Sequence, residues 1–83
     1  MNFYFVEITD TFAGEANYSW VKRLKVKANA MRGAVNKVSR DSGMAWRCNW
    51  DNGDTMQYDS KSGATCFFIE EWHDDIKYDV SEL

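Results

Sequence analysis

The chain has 83 residues, of which 45% are hydrophobic and 16% aromatic, with a formal net charge of -3. That length supports one hydrophobic core and leaves no room for a second domain, so residues 1–83 read as a single unit. No run approaches the roughly 18 apolar residues of a membrane span. Two cysteines, Cys48 and Cys66, are too few for a disulfide scaffold, and the start Met1-Asn2-Phe3-Tyr4 lacks the basic opening of a signal peptide. A cytoplasmic protein with reduced thiols is the resulting expectation.

In chain order, Phe3 to Thr9 alternates, with Tyr4, Val6 and Ile8 on one face and Phe3, Phe5 and Glu7 on the other. Both faces are largely apolar, which predicts a central first strand. Asp10, Gly14 and Asn17 carry turn chemistry. Tyr18, Trp20, Leu24 and Val26 then alternate with Ser19, Arg23, Lys25 and Lys27, predicting a second strand with a wet, basic face. Met31, Ala34, Val35 and Val38 recur at helical spacing, with Asn29 as the expected N-cap and Gly43 as the expected left-handed stop. Gly33 within that helix predicts a close approach between helix and sheet.

Trp46, Cys48 and Trp50 alternate with Arg47 and Asn49 and lead into Asp51-Asn52-Gly53-Asp54, a strong hairpin signal because Asn and Gly tolerate positive φ. Thr55 to Tyr58 returns antiparallel. A turn at Asp59 to Gly63 precedes a last strand from Ala64 to Trp72, in which Thr65, Phe67 and Ile69 oppose Cys66, Phe68 and Glu70. Residues 74–83 are acidic and sparsely apolar, and are expected to form a mobile, frayed tail or a short helical turn. The predicted fold class is α+β: an antiparallel sheet of about five strands with one helix on one face, in the order ββαβββ. An apolar edge strand in such a sheet could pair with its copy in a homodimer.

Charge is distributed unevenly. Eight of the ten basic residues, Lys22, Arg23, Lys25, Lys27, Arg32, Lys37, Arg40 and Arg47, fall between positions 22 and 47, where Asp41 is the one acid. From Glu70 to Glu82 the acids Glu70, Glu71, Asp74, Asp75, Asp79 and Glu82 face Lys77 alone. A folded molecule with a positive and a negative region follows. Two binding modes can use it. The acidic end, comprising Glu70, Glu71, Asp74 and Asp75 with Trp72 and Tyr78 as aromatic anchors, can dock in a basic groove of a partner. Alternatively, Lys22, Arg23, Lys25, Lys27 and Arg40 can hold nucleic-acid phosphates, with Tyr18 or Trp20 stacking bases. The isoelectric point near 5.0 weighs against the second mode.

Catalytic chemistry finds little support. The one histidine, His73, sits among carboxylates and reads as a surface residue; two separated cysteines and one histidine do not make a structural zinc site. Cys48 and Cys66 lie in strands flanked by aromatics, where unreactive core thiols are common, and neither has the setting that lowers a thiol pKa. Asp51 to Asp54 lacks calcium-loop spacing. The five glycines fall singly, so no phosphate loop is present. The reading is of a binding protein with no catalytic residues, metal, cofactor, membrane association or small-molecule substrate.

The layout resembles very small phage-encoded inhibitors, among them anti-CRISPR proteins and other host-takeover proteins. The features that prompt this are the start Met1 to Glu7, the segment Val26-Lys27-Ala28 feeding one helix at Ala30 to Ser42, and Gly43 leading into the Trp46 strand and the Asn52-Gly53 hairpin. The likeness covers most of the chain and is architectural, with no diagnostic motif and no binding residue to carry over. It implies a stoichiometric inhibitor acting in a host cytoplasm on a host protein or ribonucleoprotein complex of defence or transcription.

Overall fold

Strand β1 (Asn2–Phe12) is the centre of the molecule, and the computed structural model describes the chain around it from Met1 to Leu83. It pairs antiparallel on one side with β2 (Glu15–Ala28) and on the other with β5 (Thr65–Glu71). Strands β3 (Trp46–Asp51) and β4 (Thr55–Ser60) extend the sheet beyond β5, and β6 (Ser81–Glu82) adds to the far edge of β2. The order across the sheet is β3-β4-β5-β1-β2-β6. One helix, α1 (Met31–Ser42), completes an α+β fold in which the expected ββαβββ series gains a sixth, two-residue strand.

Alternation along β1 decides what lies on each face. Tyr4, Val6 and Ile8 join Leu24, Val26 and Ala28 of β2 and Phe67 and Ile69 of β5 to form the core. Helix α1 closes it with Ala34, Val35 and Val38, at the spacing expected of one helical face. Phe67 is wholly buried. Tyr58 stacks on it at 5.1 Å between centroids and Trp46 meets it edge-on at 4.8 Å, so strands β3 and β4 contribute aromatic packing beside the helix, where Trp46 Nε1 donates to Ser42 Oγ at 3.0 Å.

The helix ends as expected and begins otherwise. Gly43 is left-handed, with φ 69, and its N–H bonds to the Ser39 carbonyl. The N-cap is Ala30 without a side-chain bond, and Asn29 turns instead to the N-terminus, its carbonyl accepting from Asn2 Nδ2 at 3.1 Å. At Gly33 a side-chain methyl would meet the Ala28 Cβ at 3.5 Å, an ordinary contact. The approach of helix to sheet is therefore close, but it leaves room for one carbon.

Turn positions differ from expectation. Strands β1 and β2 run on to a two-residue turn at Ala13 and Gly14, both at positive φ, as the right-handed twist of a hairpin favours. Asp10 and Asn17 lie within the strands. At the second hairpin Asn52 keeps a negative φ and only Gly53 is left-handed. The reason is local: Asn52 Oδ1 accepts from the N–H groups of Asp54 and Thr55, and Asp51 Oδ1 from that of Gly53, which holds a three-residue loop.

The C-terminal residues are neither a helical turn nor a free end in this structure. They cross the face opposite the helix, from β5 over β1 and β2 to the parallel strand β6, where Leu83 N–H bonds to the Lys25 carbonyl at 2.9 Å and Lys27 N–H to that of Leu83 at 3.0 Å. Two crossovers thus sandwich the sheet, one helical and one extended.

Because Gly33 is helical and has space for a methyl, Gly33→Ala removes the entropy penalty of glycine without a clash. We expect it to raise unfolding stability by about 0.5–1 kcal/mol in urea titration, with Gly33→Leu lowering it.

Candidate functional site

On the face away from the helix, Phe3, Phe5 and Glu7 of β1 stand opposite Lys27, Lys25 and Arg23 of β2. The C-terminal crossover packs here. Trp72 N–H bonds to the Phe3 carbonyl at 2.9 Å, and its ring meets Phe5 edge-on at 5.9 Å. Tyr78 stacks parallel on the same Phe5 at 5.8 Å with a 3° interplanar angle. Phe5 is consequently buried, although no helix covers it.

The cations of β2 engage rings here. Arg23 lies 3.9 Å from the Tyr78 centroid while its Nε donates to Glu7 at 2.9 Å. Lys25 Nζ sits 4.5 Å from the Trp72 ring and 4.8 Å from that of Phe3, and Lys27 Nζ 6.0 Å from Phe3. The expected nucleic-acid set is therefore divided. Arg23, Lys25 and Lys27 share this face, whereas Lys22 points to the helix side and pairs with Asp41 at 3.9 Å. Arg40 is on the exposed side of α1, beside Asn36 and Lys37 in a groove with Ala28 and Asn29.

The acidic end is brought together. Glu70, Glu71, Trp72 and His73 line a cleft of about 360 Å³ with Gly53 and Asp54 of the β3–β4 loop and Met31 at the helix start. Asp54 is an acid that the sequence reading did not assign to this end; the Asn-Gly hairpin folds it over the end of β5. His73 Nε2 lies 3.3 Å from Glu70 Oε1. Asp74 and Asp75 occupy the turn that follows, where Ile76 N–H bonds to the His73 carbonyl at 3.1 Å. No group of three or more His, Cys, Asp and Glu side chains is arranged to hold a metal ion.

The positive and negative regions expected to lie apart are neighbours, because the acidic segment crosses the basic strand. Even so, they do not neutralise one another by direct pairing. The ion pairs are Lys22–Asp41, Arg23–Glu7 and His73–Glu70, and none joins a carboxylate of residues 71–82 to a cation of β2. Rings occupy those cations, and Glu71, Asp74, Asp75, Asp79 and Glu82 stay exposed.

A third cluster lies on the β1–β2 arm, where the register shifts between Thr9 and Thr11 and β2 bulges. Asp10 holds the bulge: Asn17 Nδ2 and the Ser19 N–H donate to its carboxylate at 2.9 Å each, and the Ser19 hydroxyl donates as well. Tyr18 N–H donates to Thr9 Oγ1 at 2.9 Å, with Tyr18 at φ 57. The bulge breaks the alternation that would have turned Tyr18 and Trp20 inward, and both are exposed together with Phe12. The thiols also separate. Cys66 is buried, and burial, followed by Asp59 and Asp10, pushes its pKa up. Cys48 is exposed on the edge strand, outside the core where it was expected: α1 meets β3 at Trp46, the first residue of the strand, where Trp46 Nε1 donates to Ser42 Oγ at 3.0 Å, and Cys48 lies farther along.

Comparison of the chain with protein-family models, with curated proteins and with solved structures finds no match. The geometry of these clusters is therefore what bears on function.

Bonds from Ser19 and Asn17 hold the Asp10 carboxyl far below the usual carboxylate range. With the folded pKa depressed, its stabilisation is complete above about pH 4, the ordinary range, and is lost as pH falls toward the folded value. We expect Asp10→Asn to flatten the acid side of the thermal-midpoint profile between about pH 4 and pH 2. An unchanged acid slope would mean that the carboxylate does not hold the bulge.

Proposed function

We propose that this chain is a non-enzymatic binding protein whose acidic end docks on a basic surface of a partner. The observation that carries the reading is the set of carboxylates without internal ion partners, Glu71, Asp74, Asp75, Asp79 and Glu82, next to the cleft of Asp54, Glu70 and Trp72. A protein that neutralised its own acids would present a weak field. Here those carboxylates have no cation at ion-pair distance and stay exposed, so they present their charge to solvent, where it speeds encounter and selects cationic surfaces. Trp72 forms one wall of the cleft beside Glu70, Glu71 and Asp54, an arrangement in which an arginine or lysine side chain has both a carboxylate and a ring to meet; Tyr78, half exposed on the crossover, is already engaged by Phe5 and Arg23.

The architectural resemblance to phage-encoded inhibitors supports a more specific form of the same proposal. The partner would be a host protein or ribonucleoprotein complex of defence or transcription, in the host cytoplasm, occupied stoichiometrically at a groove that normally holds nucleic acid. The fold suits that role: Glu70 and Glu71 are fixed on β5 and Trp72 is bonded to Phe3, so this part of the acidic end loses little conformational entropy on docking.

Capture from a host lysate with the parent protein and with a variant carrying Glu70→Lys, Glu71→Lys, Asp74→Lys and Asp75→Lys tests the mechanism. The proposal predicts a partner retained by the parent and lost by the variant, with binding that weakens as salt rises and a thermal midpoint nearly unchanged, since these side chains are mostly exposed. Equal capture by both proteins would reject the acidic-docking mode.

A further inference from the structure

The Tyr78 ring lies in a holder built by other elements. Phe5 of β1 provides a parallel face at 5.8 Å, and the Arg23 guanidinium of β2 lies 3.9 Å from the ring centroid. Trp72 and Tyr78 are what bury Phe5, to 7% exposure, while Tyr78 itself is 53% exposed, so the occupant of the holder sits at the surface. Along the same strand follow Lys25 and Lys27, neither with a carboxylate at ion-pair distance. An aromatic floor, a planar cation and two lysines in one row can stack a flat base and follow a phosphate backbone.

We propose that this face is a binding site for single-stranded nucleic acid, held closed by residues 72–80 with Tyr78 in the place of a base. The inference does not rest on the acidic-docking reading, although both use the crossover: docking uses its carboxylates with the segment in place, whereas this site requires the segment to lift. The crossover is suited to act as an internal stand-in. What it puts in the place of a base is the Tyr78 ring; its acids Asp74, Asp75 and Asp79 pass over the cationic strand without an ion pair to Arg23, Lys25 or Lys27. It is also lightly tied. Between Trp72 and Ser81 no backbone group bonds to the sheet, and Ile76 bonds only to His73 within the segment. Opening would leave Phe5 facing water, so the closed state persists until another flat ring replaces Tyr78.

Fluorescence anisotropy with a labelled oligothymidylate of about twelve nucleotides, a duplex of equal length and a poly-glutamate peptide, each at about 50 and 200 mM salt, tests the site. We expect Tyr78→Ala to bind the single strand about tenfold more tightly than the parent, in preference to the duplex. About two cation–phosphate contacts, from Lys25 and Lys27, should make that binding fall roughly sevenfold between the two salt concentrations, since Arg23 is paired with Glu7. Adding Lys25→Glu and Lys27→Glu should abolish the gain. If circular dichroism shows Tyr78→Ala unfolded, Asp79→Lys, which leaves the sheet packing intact, should show a smaller gain of the same kind. A folded variant that binds no better than the parent would overturn the proposal. Equal binding of strand and duplex would exclude base stacking, and poly-glutamate binding as tight as the oligonucleotide would assign the face to an acidic protein; either outcome also overturns it.

Discussion

Strand β1 is apolar on both faces, and a single helix can cover only one of them. Tyr4, Val6 and Ile8 lie under α1, which leaves Phe3 and Phe5 on the far side with no second helix in the chain. Burying a phenylalanine is worth about 1.5–3 kcal/mol, a considerable share of the stability of a domain this small. The solution in this fold is to return the C-terminal segment over that face, with Trp72 against the edge of Phe5 and Tyr78 stacked on it. Much else about the exterior follows from this.

The electrostatic consequences are the least obvious. Laying an acidic segment over a basic strand would ordinarily produce a row of salt bridges and a neutral surface. The rings intervene: Arg23 lies over Tyr78 and Lys25 over Trp72 and Phe3, each cation–π contact being worth about 0.5–1 kcal/mol when exposed. The carboxylates are left to solvent and, in the reading proposed here, to a partner. One packing requirement thus accounts both for the outward acidic field and for the closed ring holder beneath the crossover.

What could be read from the sequence was what local chemistry determines. The helix and its Gly43 stop, the Asn52-Gly53 hairpin and the alternation of β1 and β5 each rest on residues within a few positions of one another. Other features rest on distant partners. The bulge that exposes Tyr18 and Trp20 is organised by the Asp10 carboxylate, seven positions before Asn17 and nine before Ser19, whereas alternation alone groups those rings with Leu24 and Val26. Strand β6 has only two residues and gains its place from pairing with Leu24 and Lys25, a contact no sequence window contains. Cys48 has the flanking residues of a core thiol, but α1 meets β3 at Trp46, the start of the strand, and the extent of helix cover is a tertiary property. Of the acidic end, Glu70 and Glu71 were visible as part of a charge run; Asp54 joined them only through the fold of the hairpin.

A double-mutant cycle on Phe5 and Tyr78, each changed to Leu singly and together and followed by urea unfolding, tests most directly whether the crossover is part of the fold. Direct stacking predicts a coupling of about 0.5–1.5 kcal/mol between the two positions. Additive effects, within about 0.3 kcal/mol, would show that the C-terminal segment does not cover the second face of β1.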